Sequence, residues 1–170
     1  MDALEAILTR RSIRVFEPGE IPLSTLKELV KAAMYAPSAA DEQPWYFVII
    51  TDRVLLDRIP SLHPYASMVA DAPAAILVCG SPGLEKHAGM WVQDCAAATQ
   101  NLLLAAHAKG LGSVWVGVHP REERMGPLRM LLGLPSHVHP FALLPLGVPA
   151  EHPELENERY REERIRLNHW

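Results

Sequence analysis

Residues 88–109 constrain this chain more than any other stretch, because the run reads as a helix that is apolar or small on nearly every face. Alanine dominates it, which favours helix and permits close packing. Trp91, Cys95, Ala98, Leu102 and Ala105 share one side, while Val92, Ala96, Leu103 and Ala106 occupy others. A helix of this kind belongs in an interior. A chain of 170 residues, 49% of them hydrophobic, can bury it in one core. The surplus apolar surface suits a second subunit. Lys109 and Gly110 supply the stop.

The remaining elements fall around that helix. Ala3, Leu4, Ile7 and Leu8 share one face of a short first helix. Thr25 and Glu28 form a candidate capping box for the next, with Pro22 and Ser24 marking its start. Leu26, Leu29, Val30 and Ala33 give its stripe, and it should stop before Pro37. Trp45 to Ile50 and Ala74 to Cys79 read as buried strands, with a short helix at 53–59 between them. Val114 to Val118 reads as a third strand. Gly126-Pro127 is expected to break the polar stretch, leaving a helix turn from Leu128 to Leu132 that ends at Gly133. Phe141 to Leu146 is the fourth strand, interrupted by Pro145. With no repeat and no linker, residues 1–170 are expected to form one domain.

Composition excludes several function classes. The net charge of −4 gives no reason to expect nucleic acid. No apolar run approaches the ~20 residues of a membrane span, and the N-terminus lacks the apolar core of a secretory signal. Only two cysteines are present, Cys79 and Cys95, both in apolar contexts. They read as buried thiols in a protein of the reducing cytoplasm.

Arg10-Arg11-Ser12-Ile13-Arg14 places three guanidinium groups and a hydroxyl within five residues. Guanidinium forks match phosphate oxygens in charge and geometry. Each charge-assisted hydrogen bond there contributes roughly 1.5–3 kcal/mol when partly desolvated. On the motif alone, a solvated basic turn is an equal account.

Three segments occur in order: RRSIR at 10–14, APSAADEQPW at 36–45 and GLGSVWVG at 110–117, the last following the alanine-rich helix. In that order and at those separations the chain resembles the FMN-dependent nitroreductase family over nearly its whole length. The terminal run ERYREERIRLNHW is similar to the family's C-terminal arm. The resemblance implies an α+β fold, a mixed or antiparallel sheet of about four or five strands flanked by helices, in an intertwined homodimer. Residues 150–170 would be the arm that reaches the partner subunit.

The resemblance also implies a site. Arg10, Ser12 and Arg14, with Arg11 nearby, would hold the FMN phosphate, and Arg159 or Arg161 of the arm would join them. Pro37, Ser38, Ala39 and Ala40 would approach the flavin from the other subunit, with Gln43 meeting a ring carbonyl or ribityl hydroxyl. Asp41 stands where the family usually has asparagine. An ionised aspartate only accepts, so it could take the flavin N3–H while disfavouring the charge of reduced flavin. Val114, Trp115, Val116 and Gly117 would run beside the ring; core packing is an equal account of Trp115. Gly110 and Gly112 are not the dinucleotide fingerprint, because they follow a helix and precede a strand.

The implied reaction passes hydride from NADH or NADPH to flavin N5, then on to a small nitroaromatic or quinone acceptor. The flavin carries the chemistry, so no side chain is assigned as catalytic acid or base. Loops at 60–72 and 119–138 are expected to shape the pocket. His137-x-His139 lacks a nearby third ligand for a metal, and no Gly-x-Ser-x-Gly elbow supports a hydrolase. Alternatives from other classes are a flavin-holding sensor or store, a relative with different flavin chemistry such as dehalogenation or flavin breakdown, and a structural protein driven by its charged tail.

Overall fold

The computed structural model describes residues 1–154 and 159–170. Its elements, in chain order, are α1 (Ala3–Thr9), α2 (Leu23–Met34), β1 (Trp45–Ile50), α3 (Arg53–Arg58), β2 (Ala74–Gly80), α4 (Trp91–Ala108), β3 (Gly112–Ser113), β4 (Val116–Gly117), α5 (Glu122–Leu132) and β5 (His139–Gly147). Five strands form an antiparallel sheet in the order β1-β2-β5-β3, with β4 also on β5. The fold is α+β.

β2 is buried along its whole length, and its period-2 alternation divides the core. Ala74, Ile76 and Val78 face α2 and α4, in a layer with Leu26, Leu29, Ala98 and Leu102. Ala75, Leu77 and Cys79 face the other way, against Leu56 of α3 and Met125 and Leu128 of α5. The alanine-rich helix therefore lies within a packed layer as its composition demands. Its residues Val92, Ala96, Ala97, Leu104 and Ala105 stay half-buried in the single chain.

Four local expectations are corrected. Thr25 and Glu28 do not cap α2; the helix begins two residues earlier after Pro22, with no side-chain cap, and Glu28 pairs instead with Lys109. α4 begins at Trp91 and not at residue 88, because Gly89 takes a left-handed φ of 88° that ends the preceding loop. α5 runs through Gly126 and Pro127 without a break. The proline deprives only the carbonyl of exposed Glu123 of its donor, while buried Met125 and Leu128 hold the helix to the sheet.

The third strand is split into β3 and β4. Both pieces share one register against β5, with Ser113 opposite Leu146 and Val116 opposite Leu143. The gap lies opposite Pro145, which has no N–H to give to the ladder. Ser113 Oγ donates to the Pro145 carbonyl at 2.7 Å. The side-chain alternation survives the gap: Val114 and Val116 are buried, and Trp115 turns outward.

Candidate functional site

The Arg-rich segment leaves α1 in extended form and lies across the β3 edge. Ile13 N–H donates to the Ser113 carbonyl at 3.0 Å. Ile13 and Phe16 sit over Gly112 and Gly147, where a Cβ would stand 2.6 and 2.7 Å from their side chains. Glycine at both positions is what lets the segment approach. Downstream, Glu17 N–H donates to the Val148 carbonyl and Ala150 N–H to that of Val15. The Glu151 carboxylate accepts from the Arg14 and Val15 N–H groups. Residues 13–17 are thus fixed through their main-chain N–H and C=O groups, not through the arginine side chains.

Two clefts flank this segment. One, of about 290 Å³, includes Thr9, Arg10, Arg11, His107, Ser113 and Glu151 in its wall. The other, of about 490 Å³, includes Arg14, His63, Tyr65, Trp115, Gly117 and Arg124. The three arginines of RRSIR therefore divide between clefts, and Ser12 lines neither. Arg11 Nη1 folds back to the Leu8 and Arg10 carbonyls. Burial, then the neighbouring Arg159 and Arg11 guanidinium groups, hold the Arg10 pKa below its ordinary value. Among the described residues no carboxylate pairs with Arg10. Cations packed this way favour an anion between them.

Val114, Trp115 and Gly117 lie together with Arg14 at the larger cleft. Trp115 is 37% exposed and meets Phe141 edge-on at 5.6 Å, so it is a wall of the cleft and not core filling. Two further residues converge on the Gly117 carbonyl: His63 Nε2 and Arg124 Nη1, each at 2.9 Å. Tyr65 N–H donates to His63 Nδ1 at 3.2 Å, which leaves the proton on Nε2 for Gly117. No motif marked His63, Tyr65 or Arg124 in the sequence. His63 and Tyr65 sit in the stretch 60–72, and Arg124 in 119–138, where the expected pocket-shaping loop is largely helix α5.

The second motif lies apart. Pro37, Ser38, Ala39, Asp41 and Gln43 line neither cleft. Their loop is conformationally forced, with φ of 47°, 54° and 50° at Ala40, Asp41 and Gln43, a region costly for residues other than glycine. It is held by Ala39 N–H on Asp94 Oδ1 at 3.0 Å, Gln43 N–H on Ser38 Oγ at 3.0 Å and Gln43 Nε2 on Asp41 Oδ1 at 2.8 Å. Asp94 is 5% exposed and its Oδ2 has no partner. Among the described residues, no group of three His, Cys, Asp or Glu side chains is placed to hold a metal. No described helix is long and apolar enough to cross a membrane.

Sheet and clefts define an α+β protein with two arginine-lined clefts. The profile of the Nitroreductase family matches residues 7–62 and 60–148. A relative from Methanothermobacter thermautotrophicus, named "Putative NADH dehydrogenase/NAD(P)H nitroreductase", is 51% identical across all of this chain and 88% of its own length. A crystal structure of a protein of the same name from Parabacteroides distasonis superposes with a TM-score of 0.92 at 39% identity, covering 98% of each chain. The FMN complex of a nitroreductase-type protein from Desulfovibrio desulfuricans superposes with a TM-score of 0.84 at 28% identity, covering 100% of this chain and 99% of that one. This chain belongs to the nitroreductase family.

Proposed function

We propose that this protein is an FMN-dependent oxidoreductase that takes hydride from NADH or NADPH and delivers electrons to a small nitroaromatic or quinone. The observation that carries the reading is Arg10, partly buried beside Arg159 and Arg11 with no carboxylate on it among the described residues. A phosphate is the ligand that such a group fits. The larger cleft, at about 490 Å³, lies within the range of cofactor sites, and it borders the same segment. The residues present therefore fit FMN.

Arg10, with Arg159 and Arg11 beside it, would hold the phosphate end from the smaller cleft, while Arg14 lines the larger cleft and Ser12 neither. Val114, Trp115 and Gly117 would line the ring, the Gly117 carbonyl being fixed by His63 and Arg124. FMN held there would supply the redox chemistry, hydride acceptance at N5 and electron release to an acceptor. The protein's part is to orient and to exclude water.

The active form in this reading is a homodimer. Leu4 and Leu8 of α1 are 70% and 71% exposed, and α4 keeps a half-buried apolar face. A second copy would cover both. The loop bearing Pro37, Ser38, Ala39, Asp41 and Gln43 would then meet the partner's cleft, which accounts for a forced loop that touches neither cleft of its own chain. Residues 155–158 of the proposed arm lie outside the described residues.

An absorbance spectrum of purified protein, followed by anaerobic titration with NADH and with NADPH, tests the proposal. A yellow dimer bleached by one or both nicotinamides and reoxidised by nitrofurazone or menadione is the expected result. Colourless protein that stays so with excess FMN overturns it. Stoichiometric FMN without turnover of any acceptor favours a flavin sensor or store instead.

A further inference from the structure

Arg124 stands out among the groups lining the larger cleft. Its Nη1 donates to the Gly117 carbonyl at 2.9 Å, and its Cζ lies 5.2 Å from the centroid of the Tyr65 ring. Its Nε is buried without a hydrogen-bond partner. Glu122, on the same helix, is engaged by Arg129 at 3.3 Å, and no described carboxylate pairs with Arg124 or lines this cleft.

This half-buried guanidinium faces no described carboxylate, and one of its nitrogens, Nε, lacks a hydrogen-bond partner. Buried donors without partners are costly and rare. Stacking on Tyr65 covers one face of the planar group, Nη1 is held by Gly117 and Nε is enclosed, which leaves the edge at Nη2 for an in-plane partner. The Gly117 carbonyl and the tyrosine ring together fix the orientation of that edge before any ligand arrives. The second cation of the cleft, Arg14, belongs to the segment already assigned to the cofactor's phosphate. Arg124 remains for something else.

We infer that Arg124 anchors an anionic group on the small molecules that exchange electrons in this cleft. The group is a carboxylate on the electron acceptor or the pyrophosphate of the nicotinamide. Both present anionic oxygens to that edge. The inference rests on the function proposed above, since it takes the cleft to be where those substrates bind.

The two sources separate in the two half-reactions, measured anaerobically by stopped flow on FMN-loaded protein. Arg124→Gln and Arg124→Lys are compared with the parent. If the anchor serves the acceptor, Arg124→Gln lowers the ratio of oxidation rates by 4-nitrobenzoate over its neutral isostere 4-nitrobenzamide by about tenfold. Reduction by NADH then keeps its Kd. If it serves the nicotinamide, the Kd for NADH or NADPH rises by about tenfold and that ratio stays. In either case Arg124→Lys, which keeps the charge, recovers part of the loss.

Equal losses with benzoate, benzamide and nicotinamide would show that Arg124 only supports Gly117, and would overturn the inference. So would no change in any of them. FMN content, read from the same preparations, keeps this outcome apart from failure of the proposed function: protein that binds no FMN refutes both, whereas FMN-replete Arg124→Gln with unaltered discrimination refutes the anchor alone.

Discussion

Ile13 lies directly across Gly112, with its Cγ2 2.6 Å from where a Cβ on that glycine would stand. The Arg-rich segment depends on this crossing, because Ile13 N–H also bonds the adjacent Ser113 carbonyl. Gly112→Ala must push the segment off the sheet edge. We expect a loss of about 1–3 kcal/mol, read from urea denaturation, together with weaker FMN binding. The same substitution in an Ile13→Ala background should cost less than in the parent, since the two changes share one contact.

Arg10 is held among like charges, so an anion should stabilise the cofactor-free protein. Millimolar inorganic phosphate or sulfate is expected to raise Tm by preferential binding to the folded state. Arg10→Ala should abolish that rise and weaken FMN roughly 10- to 100-fold, as expected for one charge-assisted hydrogen bond. A full phosphate response in Arg10→Ala would place the anion elsewhere.

Acid should destabilise the fold through two histidines. Burial is the leading cause that lowers the His107 pKa, followed by the Arg10 charge; burial and then His139 lower that of His119. The unfolded chain therefore binds more protons than the folded one between the lowered values and the ordinary pKa near 6.5. Their contribution is complete above about pH 6.5 and is lost as pH falls toward the folded-state values. Tm measured from pH 8 to 5 should show this descent, and His107→Gln should flatten it. The Thr9 hydroxyl 2.8 Å from His107 Nε2 gives a local NMR reporter.

Asp41→Asn should be tolerated by the backbone, since asparagine accepts a left-handed φ as readily as aspartate, and position 41 has φ 54°. In the proposed dimer the change removes a negative charge near the partner's flavin. The expected outcome is a more positive flavin midpoint potential, measured by dye equilibration. An unchanged potential would separate this loop from the flavin.

Cys79 and Cys95 should be inert in the folded state. Burial pushes both thiols up to about 12, so almost no thiolate exists at neutral pH. Ellman's reagent at pH 8 should find neither in native protein and both after unfolding in urea.

Local pattern carried much of the architecture. The β-branched and aromatic run at Trp45 to Ile50 became β1 residue for residue, and the all-round apolarity of α4 required the buried layer in which it lies. Where local signals failed, a longer-range contact had prevailed. Pro127 did not stop α5, because Met125 and Leu128 are pinned beneath the sheet. The strand at Val114 to Val118 was divided by Pro145, which lies across the sheet from the gap and about thirty residues away. Thr25 and Glu28 had the spacing of a cap, but Lys109 drew Glu28 elsewhere.

The order of RRSIR, APSAADEQPW and GLGSVWVG, with the apolar helix before the last, pointed to the family that the profile match and the 51%-identical relative show. Those features are local, and chemistry and spacing within one segment suffice to define them. Only the folded chain assembled the larger cleft, because His63, Arg124 and Gly117 lie up to 61 residues apart and meet through one carbonyl oxygen. Nothing in a linear pattern marks a hydrogen bond of that span. The same holds for the parting of Arg10 from Arg14: five adjacent residues look like one cluster on paper, while the extended backbone and its pairing with the β3 edge send their side chains to separate clefts.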